Sequence, residues 1–201
     1  MFEPFKPANH IILASSSQRR STILDKVGIP FEIIAPHVDE TAPQGLSPEE
    51  MSVAIAQRKG HEVHEFTQTN RLILACDSNV FLDGKVYLKP KDEAEASATL
   101  RALSGRTHTV ITGVCLIMGE VEHTFYESTK VTFWDLSDDD IAFYVRSGDY
   151  RGKTGAYAAQ NLGMILIRGI EGDFYNVVGL PISRVVREMK KMPDPKSPFD
   201  V

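Results

Sequence analysis

Cysteine is nearly absent from this chain of 201 residues: only Cys76 and Cys115 occur. They have no ligand-like spacing, and both sit in apolar, strand-like runs. That excludes a disulfide-dense secreted fold and reads as two reduced core thiols of an intracellular protein. Long apolar runs are also lacking. None approaches the roughly 20 residues that span a bilayer, and residues 1–8 hold no hydrophobic region of a secretory signal. Basic excess is missing too. With 22 Lys and Arg against 27 Asp and Glu, the net charge is −5. No global field recruits DNA or an anionic membrane, and no basic stripe interleaved with aromatics appears. Any anion site must therefore be local, built from a few placed cations. Internal repeats and low-complexity tracts are absent. What remains is an ordinary globular composition, long enough for one large domain or two small lobes with a real core.

Strand-like and helix-like segments alternate between loose ends at 1–8 and 193–201, which favours an α/β architecture over residues 9–192. His10 to Ala14 reads as a buried strand. Arg19 to Val27 reads as a helix with Ile23, Leu24 and Val27 on one face and Gly28 at its end. Phe31 to Ala35 is a second strand, followed by a loop from Pro36 to Leu46. Ser47, Pro48, Glu49 and Glu50 form the start signal of a helix running to about Glu65. Arg71 to Cys76 is a buried strand ending at Asp77. Val80–Leu82 and Lys85–Tyr87 flank Asp83-Gly84 as a tight hairpin. Asp92 to Leu103 is helical. Thr107–Met118 and Val121–Trp134 form a long hairpin turning near Gly119-Glu120. Ser137 caps a helix to about Ser147. Thr154–Gln160 and Met164–Ile170 read as strands, and Leu180-Pro181 leads into a last helix, Ile182 to Met192.

Two segments stand out chemically. In Ser15-Ser16-Ser17-Gln18-Arg19-Arg20 a strand runs into a hydroxyl-rich turn that opens a helix. Helix N–H groups, serine hydroxyls and guanidiniums suit a polyphosphate. A single capping Ser with two solvated Arg accounts for the segment equally simply. Asp77 ends a run apolar enough for a central strand, where α/β sheets gather ligands. A carboxylate there can bind a hard divalent cation or take a proton from water. An Asx-turn closing the strand is the structural alternative.

Lys59 lies late on the long helix, and Arg58 beside it points elsewhere. Glu40 sits in the loop after the second strand, and Lys89 follows the small hairpin. Singly, each reads as a solvated charge. Together with Arg19, Arg20 and Asp77 they form an inventory for holding a triphosphate with a metal. His108 is a candidate general base, but with no nucleophile or ligand partner at metal-site spacing it reads rather as a turn or strand-edge His bonded to its neighbours. Gly152-Lys153-Thr154-Gly155 lacks the spacing of a phosphate loop. Gln160 has the donor and acceptor that recognition of a base edge requires, and reads equally as an exposed strand residue.

In order along the chain these pieces resemble the Maf family of nucleoside triphosphate pyrophosphatases. Leu13 to Arg20 match its opening motif except for Gln18 in place of Pro. Asp39-Glu40 match its acidic pair, Lys59 its helix lysine, and Ala75-Cys76-Asp77-Ser78 its Gly-Ala-Asp-Thr core. Lys89-Pro90, Ser104-Gly105 with His108, Gly152 to Tyr157 with Gln160, and Asn176 to Pro181 complete the match. The resemblance implies a Maf/ITPase-like fold, a curved mixed β-sheet flanked by helices with two lobes around a central cleft. It implies cleavage between the α- and β-phosphates, a divalent cation (Mg2+ or Mn2+), often a homodimer, and a cytoplasmic setting. Asp77 then corresponds to the catalytic acidic residue. Ser15, Ser17, Arg20, Lys59 and Lys89 bind the phosphates, and Glu40, with Asp77, positions metal or water.

The branch acting on dTTP and UTP carries Arg, Thr and Gln at three discriminating positions, which here are Arg19, Ser78 and Gln160. Ser78 keeps the hydroxyl and loses a methyl. Gln18, Cys76, Ala158 and Asn161 also depart from the family pattern, at positions that shape the loops around the base. Two rivals follow: a pyrophosphatase for modified nucleotides, and a non-catalytic nucleotide-binding regulator of cell division.

Overall fold

The computed structural model describes residues 10–41 and 45–193. The ends expected to be loose lie outside these residues, apart from Pro193. Among the described residues seven strands form one mixed sheet. They are β1 (Ile11–Ala14), β2 (Phe31–Ile33), β3 (Ile73–Leu82), β4 (Lys85–Tyr87), β5 (Thr107–Met118), β6 (Val121–Phe133) and β7 (Ile167–Glu171). Their order is β2-β1-β3-β5-β6-β7, with β4 paired to β3. β1 is parallel to both β2 and β3, whereas β4 and β7 are antiparallel to their partners. The helices are α1 (Gln18–Lys26), α2 (Pro48–Thr67), α3 (Glu93–Leu103), α4 (Asp138–Arg146), α5 (Phe174–Val178) and α6 (Ile182–Met189).

The chain forms two compact units. The first is Met1–Asp77, Gly113–Tyr126 and Gly179–Val201, and the second is Ser78–Thr112 and Glu127–Val178.

In the first unit, α2 begins as its sequence dictates. Ser47 and Glu50 close a reciprocal capping box, and Pro48 takes the first turn, where a missing N–H costs nothing. The apolar residues Ala56 and Val63 of α2 join Ile12, Ala14, Ile73, Ala75, Cys115 and Ile117 from the sheet in one buried cluster. All four residues of β1 are buried, as befits a strand between two parallel neighbours. Two glycines let helix and sheet approach closely. A Cβ on Gly113 would fall 2.2 Å from the Ser52 carbonyl carbon and oxygen, and one on Gly60 would meet Ile117 Cδ1 at 3.0 Å. In the second unit, Leu100 and Leu103 of α3, Ile141 and Tyr144 of α4, and Val131 and Phe133 of β6 belong to a second buried cluster. Ser137 caps α4, with Asp140 answering as the third residue.

Three expectations are corrected. β3 does not end at Asp77 but continues to Leu82, because β4 pairs with its last residues, Val80 to Leu82. Thr154–Gln160 is not a strand. It contains a 3₁₀ turn in which Gly155 and Ala156 take left-handed backbone (φ 70° and 62°), and the Gly155 N–H donates to Leu88 O. A Cβ on Gly155 would lie 2.7 Å from Val80 Cγ2, so tertiary packing selects the turn over the alternating pattern. Met164–Ile170 divides into a 3₁₀ turn at Leu162–Leu166 and β7. The short helix α5 was not anticipated.

Candidate active site

β1 stops at Ala14, opposite Ala75 of β3. Asp77 lies two residues further along β3, past the carboxyl end of its parallel neighbour. The site expected at a strand end is thus at the end of β1 and in the middle of β3. Beyond β1 the chain turns through Ser15 into α1. Ser15 is buried, and its Oγ accepts from the Ser17 N–H at 3.2 Å and from an Arg20 Nη at 2.9 Å. Arg20 is itself buried, with Nε donating to Gly179 O at 2.8 Å. Ser17 occupies the N-cap position of α1 with extended backbone, yet its side chain makes no capping bond. The structure therefore departs from the simple alternative of a capping Ser and two solvated arginines. Arg20 is a fixed guanidinium, while Arg19 sits half-buried in the first turn.

The centre of the first unit's polar group is Lys59. Its ammonium donates to Asp77 Oδ1 at 2.6 Å and pairs with Glu40 Oε1 at 2.7 Å. The Lys59 and Asp77 side chains are only 8% and 10% exposed, whereas Glu40 is 48% exposed. Water is largely removed from one pair and retained by the other, so the Asp77 contact is the stronger. Cys76, next in the chain, is fully buried. Burial pushes its thiol up to about 11, against opposing influences from the Arg20 and Lys59 cations. It is an inert core thiol, as read from its apolar neighbours.

Arg58 does not point away from the site. One Nη donates to Asp39 O at 3.1 Å and to Thr41 O at 2.7 Å, the two carbonyls that flank Glu40. Sequence reasoning missed this because residues adjacent on a helix diverge by about 100°. The loop runs along the helix edge, within reach of both side chains.

In the second unit, Ser78 is half-buried and its Oγ lies 2.8 Å from Thr112 Oγ1, which also donates to Asn176 O at 3.3 Å. Asn176 is buried and donates to Val110 O and Thr129 Oγ1, tying α5 to β5 and β6. Lys153 is paired with the largely buried Asp149 at 3.2 Å. His108 is buried with Nε2 2.8 Å from Tyr157 Oη, while its Nδ1 has no partner. Burial lowers its pKa to about 4. Lys89 is exposed after β4, and Gln160 is half-buried beyond the 3₁₀ turn.

Among the described residues no group of three or more His, Cys, Asp or Glu side chains is arranged to hold a metal. Glu40 and Asp77 are nonetheless two carboxylates sharing one ammonium. A hard divalent cation bound mainly through substrate phosphates needs only one or two carboxylates, so the donor set fits such an ion. Among the described residues no helix is long and apolar enough to cross a membrane.

In the first unit β1 ends beside a buried Lys–Asp pair and a fixed guanidinium, a grouping of charges that suits an anion. The Maf-like protein model matches residues 10–192. A dTTP/UTP pyrophosphatase of Bacillus mycoides (strain KBAB4) is 45% identical over 181 residues, 90% of this chain and 94% of that protein. The dTTP/UTP pyrophosphatase of Bacillus anthracis (strain CDC 684 / NRRL 3495) is 44% identical over the same shares. Among solved structures, a HAM1 protein from Coxiella burnetii aligns with 90% of this chain and 98% of that chain, at 17% identity and a TM-score of 0.49. The chain belongs to the Maf family.

Proposed function

We propose that this protein is a nucleoside triphosphate pyrophosphatase that hydrolyses dTTP and UTP to the monophosphate and pyrophosphate. The observation that carries the reading is the buried Lys59 ammonium held at 2.6 Å from Asp77 and 2.7 Å from Glu40. The names of the relatives, together with Arg19, Ser78 and Gln160 at the discriminating positions, support the pyrimidine substrates.

In this reading Asp77 is the reactive carboxylate, either taking the proton of the attacking water or acting as a metal ligand with Glu40. Lys59 keeps Asp77 in place and, with Arg20 and Lys89, offsets charge growing on the leaving pyrophosphate. Arg20 enters the reaction already immobilised by Ser15 and Gly179, so little side-chain freedom is lost on binding. Ser17, at the start of α1, lies where N–H groups attract anions. Arg19, Ser78 and Gln160 select the base. Glu40 and Asp77 would hold a divalent cation, which when bound would supply Lewis-acid polarisation of the phosphate. A homodimer and a cytoplasmic setting accompany this reading.

The test is pyrophosphate release across the standard and modified nucleoside triphosphates, with and without Mg2+ or Mn2+, read as kcat/KM. The reading expects dTTP and UTP to lead and chelation to abolish turnover. Nucleotide binding without turnover under any metal would favour a non-catalytic regulator instead.

A further inference from the structure

The Glu40 loop is tied to α2 at three places. Lys59 takes the Glu40 carboxylate, Arg58 takes the carbonyls of Asp39 and Thr41, and Glu62 accepts from the His37 N–H at 2.6 Å. The loop adds one internal bond, Thr41 N–H to Asp39 Oδ1 at 2.8 Å. Hydrogen bonds from Thr41 hold the Asp39 carboxyl below the usual carboxylate range, with a smaller contribution from Arg58. The loop is otherwise exposed at residues 39–41, with no apolar anchor of its own there. Nothing in such a chain fixes the direction of a side chain unless its backbone is held on both sides.

We infer that Arg58 is a positioning residue: by bridging the carbonyls on either side of Glu40, it aims that carboxylate at Lys59 and Asp77. Glu40 is half-exposed. An exposed ion pair alone confers little order. Two charge-assisted bonds to the flanking backbone confine the segment far more tightly. One planar guanidinium nitrogen, its two N–H bonds fixed in direction, reaches both carbonyls at once, whereas a lysine ammonium is a point charge on a flexible stem. Asp39 enters as well: its Asx-turn with Thr41 sets the curvature that brings both carbonyls to one side chain.

The role in turnover rests on the pyrophosphatase reading, but the clamp itself does not, so two measurements are needed. Amide hydrogen exchange over residues 37–41 reads the clamp without substrate. Arg58→Ala is expected to accelerate exchange there while leaving the rest of α2 protected. A double-mutant cycle with Glu40→Gln on dTTP reads the function. Arg58→Ala is expected to lower kcat on the order of 10- to 100-fold, with a smaller change in KM, as misplacement of a reacting group does. Arg58→Lys should fall between it and wild type. Arg58→Ala combined with Glu40→Gln should be no worse than Glu40→Gln alone, because both remove the same carboxylate. Unchanged exchange over 37–41, or losses that multiply in the double variant, would overturn the inference. An inactive wild type on every triphosphate would sink the pyrophosphatase reading, while exchange would still decide the clamp.

Discussion

Lys59→Met removes the ammonium between Asp77 and Glu40 and keeps the volume of its stem. The two contacts contribute unequally. Breaking a buried ion pair by deleting one partner costs about 3–5 kcal/mol, because the remaining charge stays out of water. Asp77, 10% exposed, meets that condition. Glu40, 48% exposed, returns to solvent and adds less than about 1 kcal/mol. The expected loss is therefore about 3–5 kcal/mol, set by Asp77. At roughly 2–4 °C per kcal/mol for a chain of this size, Tm should fall by about 6–20 °C. The decisive assay adds Asp77→Asn to the same chain and follows both variants by urea or thermal melts. If the cost is the stranded carboxylate, Lys59→Met with Asp77→Asn should recover most of the lost stability while remaining inactive. A double variant as unstable as the sum of the two singles would refute the electrostatic account and make Lys59 a packing residue.

Two further predictions concern the frame around the site. His108 carries a pH dependence. Its pKa is lowered to about 4 by burial, against about 6.5 when unfolded. The stability it contributes is full above about pH 6.5 and is lost as pH falls toward 4, by linkage up to about 3 kcal/mol. Urea melts of wild type and His108→Gln should therefore converge as pH drops through that window, and a constant gap would show that His108 does not stay neutral in the fold. Gly113→Ala places a methyl 2.2 Å from the Ser52 carbonyl group, so α2 must shift on the sheet. Overpacking of this kind costs about 1–3 kcal/mol or more, and a melt within about 0.5 kcal/mol of wild type would contradict the close approach.

Local signals made much of this molecule legible. The Ser47–Glu50 capping box, Gly28 at the end of α1 and the Asp83-Gly84 turn are each set by a few neighbouring residues, and the structure shows all three. What escaped the sequence depends on contacts distant along the chain. The alternation in Thr154–Gln160 mimics a strand until Val80 and Leu88 impose a left-handed turn. The extension of β3 past Asp77 depends on pairing with β4. For the candidate site, Ser15, Arg20, Glu40, Lys59 and Asp77 were legible as residue types in order. The bonds joining them were not, because no spacing rule says that a helix lysine reaches a loop carboxylate 19 positions earlier. Arg58 was hidden for the same reason.

The central claim is attack of water at the α-phosphorus, which cleaves the α–β anhydride, with Asp77 as the reactive carboxylate. The most direct measurement is the product identity of dTTP turnover in ¹⁸O-labelled water, for wild type and Asp77→Asn. Thymidine monophosphate carrying the label, with unlabelled pyrophosphate, is predicted for wild type. For Asp77→Asn, assayed well below its own melting temperature, a rate loss on the order of 10² to 10³ is predicted. Label in pyrophosphate or orthophosphate, or full activity in Asp77→Asn, would contradict the account.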